Sequence, residues 1–211
     1  LEQVHKGLGE MQALAVGDSA LYVGGEFTLA GGLPAAHVAR WDGSAWSALG
    51  AGLNSVVNDL VMYQGQPVAT GQFASPLVES TKLMAMSWDG GEWRSLGPEG
   101  YYTNGLKLTA DEGALYLLYE DTFIEHGDYY PEARQHVGVL RGTTWTWFFY
   151  SPDYNRIEDI AAWDGAVAIG GSVQLGGVGR GLVIWRSGQW TVLGPPGQGV
   201  ANHVNALAAD P

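Results

Sequence analysis

The feature that most constrains this chain is a tryptophan column that returns at a nearly fixed interval. A turn flanked by bulky residues reads WDGSAW at 41–46, WDGGEW at 88–93, LRGTTW at 140–145 and WRSGQW at 185–190. Its last Trp stands at 46, 93, 145 and 190, in steps of 47, 52 and 45 residues. A second column keeps the same phase: Leu14, Leu60, Leu108, Ile160 and Leu207, within MQALAV, VNDLVM, GLKLTA, IEDIAA and VNALAA. A third follows it in ALYVGG (20–25), QPVATG (66–71), ALYLLY (114–119) and AVAIGG (166–171). Three columns in one phase define a tandem repeat.

Each unit parses into four short strands. The first two are joined by GDS (17–19), QGQ (64–66), DEG (111–113) or DG (164–165), and the last two by DGS (42–44), DGG (89–91), GTT (142–144) or SG (187–188). Gly, Asp and Asn supply the positive φ of tight hairpin turns. The chain holds 32 Gly, 9 Trp and 10 Tyr in 211 residues, which suits many short strands with many turns. Four antiparallel strands per repeat of this length is the arithmetic of a β-propeller blade. The expected fold is therefore all-β: four complete four-stranded blades at about 10–52, 53–99, 100–150 and 151–197, with partial blade strands at 1–9 and 198–211. Small apolar innermost strands (ALAV, DIAA) suit crowding near an axis, and the paired Trp residues are expected to wedge blade against blade. An unclosed array exposes apolar faces at both ends. We therefore expect a longer parent chain, a partner or further blades completing the ring, or pairing of the two ends.

Charge narrows the function. A net charge of −12 repels phosphate backbones and anionic lipid, so neither nucleic acid nor membrane insertion is expected. No stretch approaches the roughly 18 apolar residues of a membrane span. The absence of cysteine excludes disulfides and thiolate metal sites. The opening Leu1-Glu2-Gln3 has no signal-peptide pattern and no initiator Met, as expected of an excised or processed piece.

The segment LYVGGEFTLAGGLPAAHVARWDGSAWSALGAGL at 21–53 resembles repeats of secreted bacterial propeller proteins, which are similar to kelch and galactose-oxidase-type propellers and to fungal cortical-marker repeats. The second repeat keeps TGQF (70–73) and WDGGEW. The third departs, with Leu118-Tyr119 at the glycine pair and no WDG turn. The resemblance implies a propeller fold and a secreted or cell-surface setting. It implies no activity, since propellers host unrelated functions.

Catalysis finds little support. Copper-radical chemistry of the kelch-like oxidases needs a Cys–Tyr cross-link, which a chain without Cys lacks. SWDGGEW (87–93) is one residue short of the sialidase Asp-box. His5, His37, His126, His136 and His203 show no zinc-binding spacing, and no G-x-S-x-G elbow occurs. The pairs Gly24–Gly25 and Gly170–Gly171 recur with the repeat and belong to its geometry. The expectation is no enzyme and no cofactor, and the acidic spacing matches no Ca2+ loop.

The break in the repeat is the best lead to a site. Tyr22 to Trp41 spans 19 residues, whereas Tyr116 to the matching Leu140 spans 24. The insert lies in EDTFIEHGDYYPEARQH (120–136), between the second and third strands of the third blade. Blade topology puts that loop on the same face as the flanking crossovers. Tyr101, Tyr102, Tyr129, Tyr130, Tyr150 and Tyr154 are thus expected to gather there with Glu120, Asp121, Glu125, His126 and Asp128. One reading is a longer surface loop with its base packed by tyrosines. The other is a recognition patch. The leading functional expectation is a non-catalytic protein-interaction, adhesion or assembly scaffold with this blade facing a partner. The alternative is a carbohydrate-binding, lectin-like propeller, and a third is a glycan-active enzyme with an acid pair near the central channel.

Overall fold

The computed structural model describes residues 9–75, 81–101, 103–111, 113–123, 132–151, 156–173, 181–193 and 204–209. They are all-β, with antiparallel pairing throughout and no helix among the described residues. The chain divides into two compact units, Leu1–Leu108 and Thr109–Pro211.

The first unit holds two sheets. In the first, β1 (Glu10–Gly17) and β2 (Ala20–Glu26) form a hairpin. A small hairpin of β3 (Leu29–Ala30) and β4 (Leu33–Pro34) follows, unforeseen in the sequence reading. Then β5 (Val38–Trp41) and β6 (Trp46–Ala48) complete the order β1-β2-β5-β6. The extra hairpin covers the column tryptophan: Gly31, at φ 57°, lies so close to the Trp46 ring that a Cβ would meet it at 2.6 Å. Trp46 packs there among Val23, Phe27, Ala30, Ala35 and Ala39.

The second sheet repeats the order with β7 (Val57–Tyr63), β8 (Gln66–Ala74), β9 (Thr81–Trp88) and β10 (Trp93–Ser95). A short fifth strand, β11 (Glu99–Tyr101), also pairs with β9. Leu49, Leu53, Val57, Leu60, Phe73 and Leu83 are buried in one core shared by the first two sheets. Trp88 and Trp93 pack against it, and Trp93 Nε1 donates to the Leu49 carbonyl at 3.2 Å. Trp93 thus bridges the first two sheets, whereas Trp46 packs within the first, unlike the blade-against-blade role expected of the whole column.

The third sheet runs β12 (Thr103–Asp111), β13 (Ala114–Phe123), β14 (Glu132–Arg141) and β15 (Thr144–Ser151); the unit boundary falls within β12. The fourth runs β16 (Ile157–Trp163), β17 (Ala166–Gly171), β18 (Leu182–Arg186) and β19 (Gln189–Val192). In the second unit Phe148 stacks on Trp185 at 4.2 Å, and Phe149 meets Trp190 edge-on at 5.2 Å.

The doubled glycines have two separate causes. The register of the first strand of the sheet slips at Met11/Ala13, Val57/Asp59 and Ile157/Asp159, leaving Gln12, Asn58 and Glu158 as one-residue bulges. Opposite the bulge a Cβ on Gly25 would sit 2.1 Å from the Glu10 carbonyl oxygen, and one on Gly171 2.0 Å from that of Arg156. Both glycines hold positive φ, 157° and 149°. The glycine before each is needed by the next repeat: a Cβ on Gly24 would lie 2.4 Å from Val57, and one on Gly170 2.8 Å from Val204.

Carboxylates add a polar tie that was not read from the sequence. Asp59 Oδ2 accepts the Leu108 backbone N–H at 2.9 Å, and Asp159 Oδ2 accepts that of Leu207 at 2.7 Å. Both tie one repeat to the second-column residue of the next, satisfying a backbone donor that burial would otherwise leave unpaired.

Candidate functional site

The described ends of the inserted stretch lie in strands. Glu120 and Asp121, expected in the loop, lie in β13, which continues to Phe123 opposite Glu132. Tyr150 likewise belongs to β15, not to a crossover, because its backbone pairs with His136. Tyr101 ends β11, opposite Thr81. Tyr102, Glu125, His126, Asp128, Tyr129, Tyr130 and Tyr154 lie outside the described residues.

The register builds a different cluster around the two described acids. Tyr119 stands opposite His136, and His136 opposite Tyr150, so one row across three strands shares a face. Tyr119 and His136 stack at 4.7 Å with 12° between planes, and His136 lies 5.3 Å from Tyr150. Asp121 and Arg134 form the neighbouring pair on that face. The Arg134 guanidinium carbon lies 5.5 Å from the centre of the Tyr150 ring.

A bulge adds two tryptophans. The register of β14 against β15 slips at Val137/Gly138, so that Gly138 faces Trp147 and Phe148 is passed over. Phe148 and Phe149 therefore both address the fourth sheet, while Trp147 and Tyr150 share the aromatic row. Gly138 makes the room: a Cβ there would sit 2.0 Å from the Trp147 ring. Trp147 meets Tyr119 edge-on at 5.1 Å and lies parallel to Trp145 at 5.5 Å. Among the described residues Trp147, 40% exposed, and Tyr150, 46% exposed, are the aromatics left open to solvent.

Electrostatics give the row a polar rim. His136 Nε2 approaches Asp121 Oδ1 at 3.2 Å, and neither buried atom has an aligned hydrogen-bond partner among the described residues. The Tyr119 hydroxyl is pushed up to about 12, first by burial and then by the nearby Asp121 charge. The row thus offers flat π faces, a carboxylate, a guanidinium and a neutral phenol. His136 is held between the Tyr119 and Tyr150 rings.

A second concavity of about 270 Å³ lies among Asp111, Ala114, Arg141 and Asp164. Asp111 is committed to structure there. Its Oδ1 accepts the Gly113 and Ala114 N–H groups, and its Oδ2 accepts that of Gly165 at 2.9 Å. Among the described residues no three His, Asp or Glu side chains gather as a metal-holding group.

Of the expected site, then, Asp121 and Tyr150 share a face, and Glu120 stands one residue over on the opposite one. Tyr119, Arg134, His136, Trp145 and Trp147 were missed as site residues. The available signal was strand alternation through TWTWFFY, which the bulge disguises. No protein-family model matches the chain, and no curated protein matches it.

Proposed function

We propose that this chain is part of a secreted or cell-surface β-propeller that acts as a non-catalytic protein-interaction, adhesion or assembly scaffold, with its third blade facing the partner. The recurrence of a four-stranded sheet with the same first-strand bulge supports the propeller reading. The observation that carries the functional reading is the aromatic row, where Trp147 and Tyr150 remain exposed beside Asp121 and Arg134. Aromatic anchors bordered by charges of both signs are what protein interfaces use at their energetic centres.

The test places a photo-crosslinking residue at Tyr150 and, as a control, at exposed Leu193. The reading expects one extracellular protein captured from position 150 alone. Purified, that protein binds Trp147→Ala about 30-fold more weakly than the parent chain. Equal capture from both positions removes it.

A second reading, a carbohydrate-binding propeller, is favoured by the parallel Trp145 and Trp147 rings, which present the flat surface on which a sugar ring packs. It expects a glycan-array signal that Trp147→Ala abolishes, and a blank array counts against it.

A further inference from the structure

The aromatic row already holds one cation of its own, and that contact shows what a second would meet. The Arg134 guanidinium lies 5.5 Å from the centre of the Tyr150 ring, within the reach over which a positive group is drawn to the negative face of an aromatic ring. His136 packs against the same ring at 5.3 Å, tilted by 51°. Tyr150 is thus engaged by two groups of its own chain. Trp147 differs. Its ring contacts are Tyr119, edge-on, and Trp145, parallel, and among the described residues no guanidinium or ammonium lies over it. Indole is the best cation acceptor of the three aromatic side chains. The row therefore leaves its strongest acceptor open.

The surrounding charges favour a cation at Trp147. Asp121 is a third exposed, and the Tyr119 hydroxyl is raised by burial and then by the Asp121 charge. The field of that carboxylate thus reaches the ring on which Trp147 packs. Arg134 holds the Tyr150 end of the row, so an arriving cation is repelled there and drawn toward Trp147. The net charge of −12 adds attraction from further away. Geometry then selects among cations. The Trp147 indole is braced by Trp145, within 4° of parallel, and by Gly138, where a Cβ would sit 2.0 Å from the ring. A braced plane loses little freedom when another plane stacks on it. A guanidinium is flat and weakly hydrated, whereas an ammonium is compact and holds its water strongly.

We propose that the partner of the third sheet docks an arginine, whose guanidinium stacks on the exposed Trp147 indole with Asp121 as its countercharge. This rests on the protein-interaction reading and names the chemistry of that partner: a basic surface segment that carries an accessible arginine. The guanidinium does on Trp147 what Arg134 does within the chain on Tyr150. Lysine is a poor substitute, because its ammonium keeps its water and has no flat face to lay on the indole. Salt screens the long-range attraction and leaves the stacked contact largely in place.

The experiment is calorimetric titration of the full chain, at physiological salt, with two synthetic Gly-Ser peptides of equal charge. One carries arginines and the other the same number of lysines. The parent chain is expected to bind the arginine peptide about tenfold more tightly. Trp147→Ala is expected to equalise the two, while the weaker attraction of the acidic chain for both persists. Trp147→Leu, which keeps apolar bulk and loses the π face, is expected to do the same, with circular dichroism confirming that each variant is folded. Asp121→Asn is expected to weaken the arginine peptide by about threefold, and Leu193→Ala to preserve the preference. Equal affinity of the parent for the two peptides overturns the proposal. So does a preference that both Trp147 variants retain. Capture of a protein through position 150 together with equal peptide affinities overturns this inference alone, whereas equal capture from positions 150 and 193 removes the interaction reading whatever the peptides show.

Discussion

At one repeat position the first sheet carries Gly25 facing His37, while the third carries Tyr119 facing His136. In the first sheet the glycine sits at positive φ against a bulge, and His37, itself at φ 63°, shares a hydrogen bond with the Gly25 carbonyl at 3.1 Å. The position is wholly consumed in closing the turn of the fold. In the third sheet the strands run on in register past this point, to Phe123 and Glu132. The equivalent pair then stacks ring on ring and begins the aromatic row. Lengthening one hairpin thus converts a backbone-fitting position into a side-chain-presenting one. The outer turns differ in parallel. Asp42 and Asp89 each accept two backbone N–H groups across WDG loops, holding Trp41–Trp46 and Trp88–Trp93 tilted at 5.3 and 5.6 Å. The third sheet has Arg141-Gly142 there, and Trp145 turns to Trp147.

The largest effect that sharpens this contrast is expected at Gly171, the fourth-sheet counterpart of Gly25. Gly171→Ala forces a Cβ to within 2.0 Å of a carbonyl at a φ disfavoured for L-residues. Urea unfolding is expected to show a loss on the order of 3 kcal/mol. A loss below about 1 kcal/mol would mean that the bulge relaxes and the glycine is dispensable.

Next comes the polar tie. Asp59→Ala strands the Leu60 and Leu108 N–H groups and is expected to cost about 2 kcal/mol. In the third repeat the aligned residue is Lys107, and Lys107→Ala is expected to stay within about 0.5 kcal/mol. Similar costs at the two positions would show that the carboxylate does not tie the repeats.

The smallest effect is one of pH. The N–H of Ala45, then the Ser44 hydroxyl and N–H, hold the Asp42 carboxyl at about 2, against an ordinary value near 4. Its folded-state value is depressed, so its contribution is present above pH 4 and lost as pH falls through 2. Carboxyl carbon titration is expected to place the Asp42 midpoint near 2. A midpoint near 4 would mean that the loop is not held in this form.

Much of the fold was legible because hairpin turns and apolar columns are local signals repeated four times. The strand order follows from the four-strand parse, and the Gly-Gly pairs were rightly read as geometry. What escaped depended on register. Tyr150 and Asp121 were assigned to connections because residue type does not mark where these strands end, and only the ladder shows that β13 continues to Phe123 and that Tyr150 pairs with His136. Trp147 was invisible as a surface residue, since the bulge at Gly138 decides which face it takes. Asp59 and Asp159 recur 100 positions apart, two repeats, but they bind backbone N–H groups, which leave no mark in the sequence.

The comparison rests on one repeat position serving the backbone in one sheet and the surface in another. Its most direct test is side-by-side urea unfolding of Gly25→Ala and Tyr119→Ala. Gly25→Ala is expected to cost about 3 kcal/mol and Tyr119→Ala about 1 kcal/mol, with capture through position 150 lost in the second variant and retained in the first. Equal losses of stability, or capture that survives removal of the Tyr119 ring, would contradict the account.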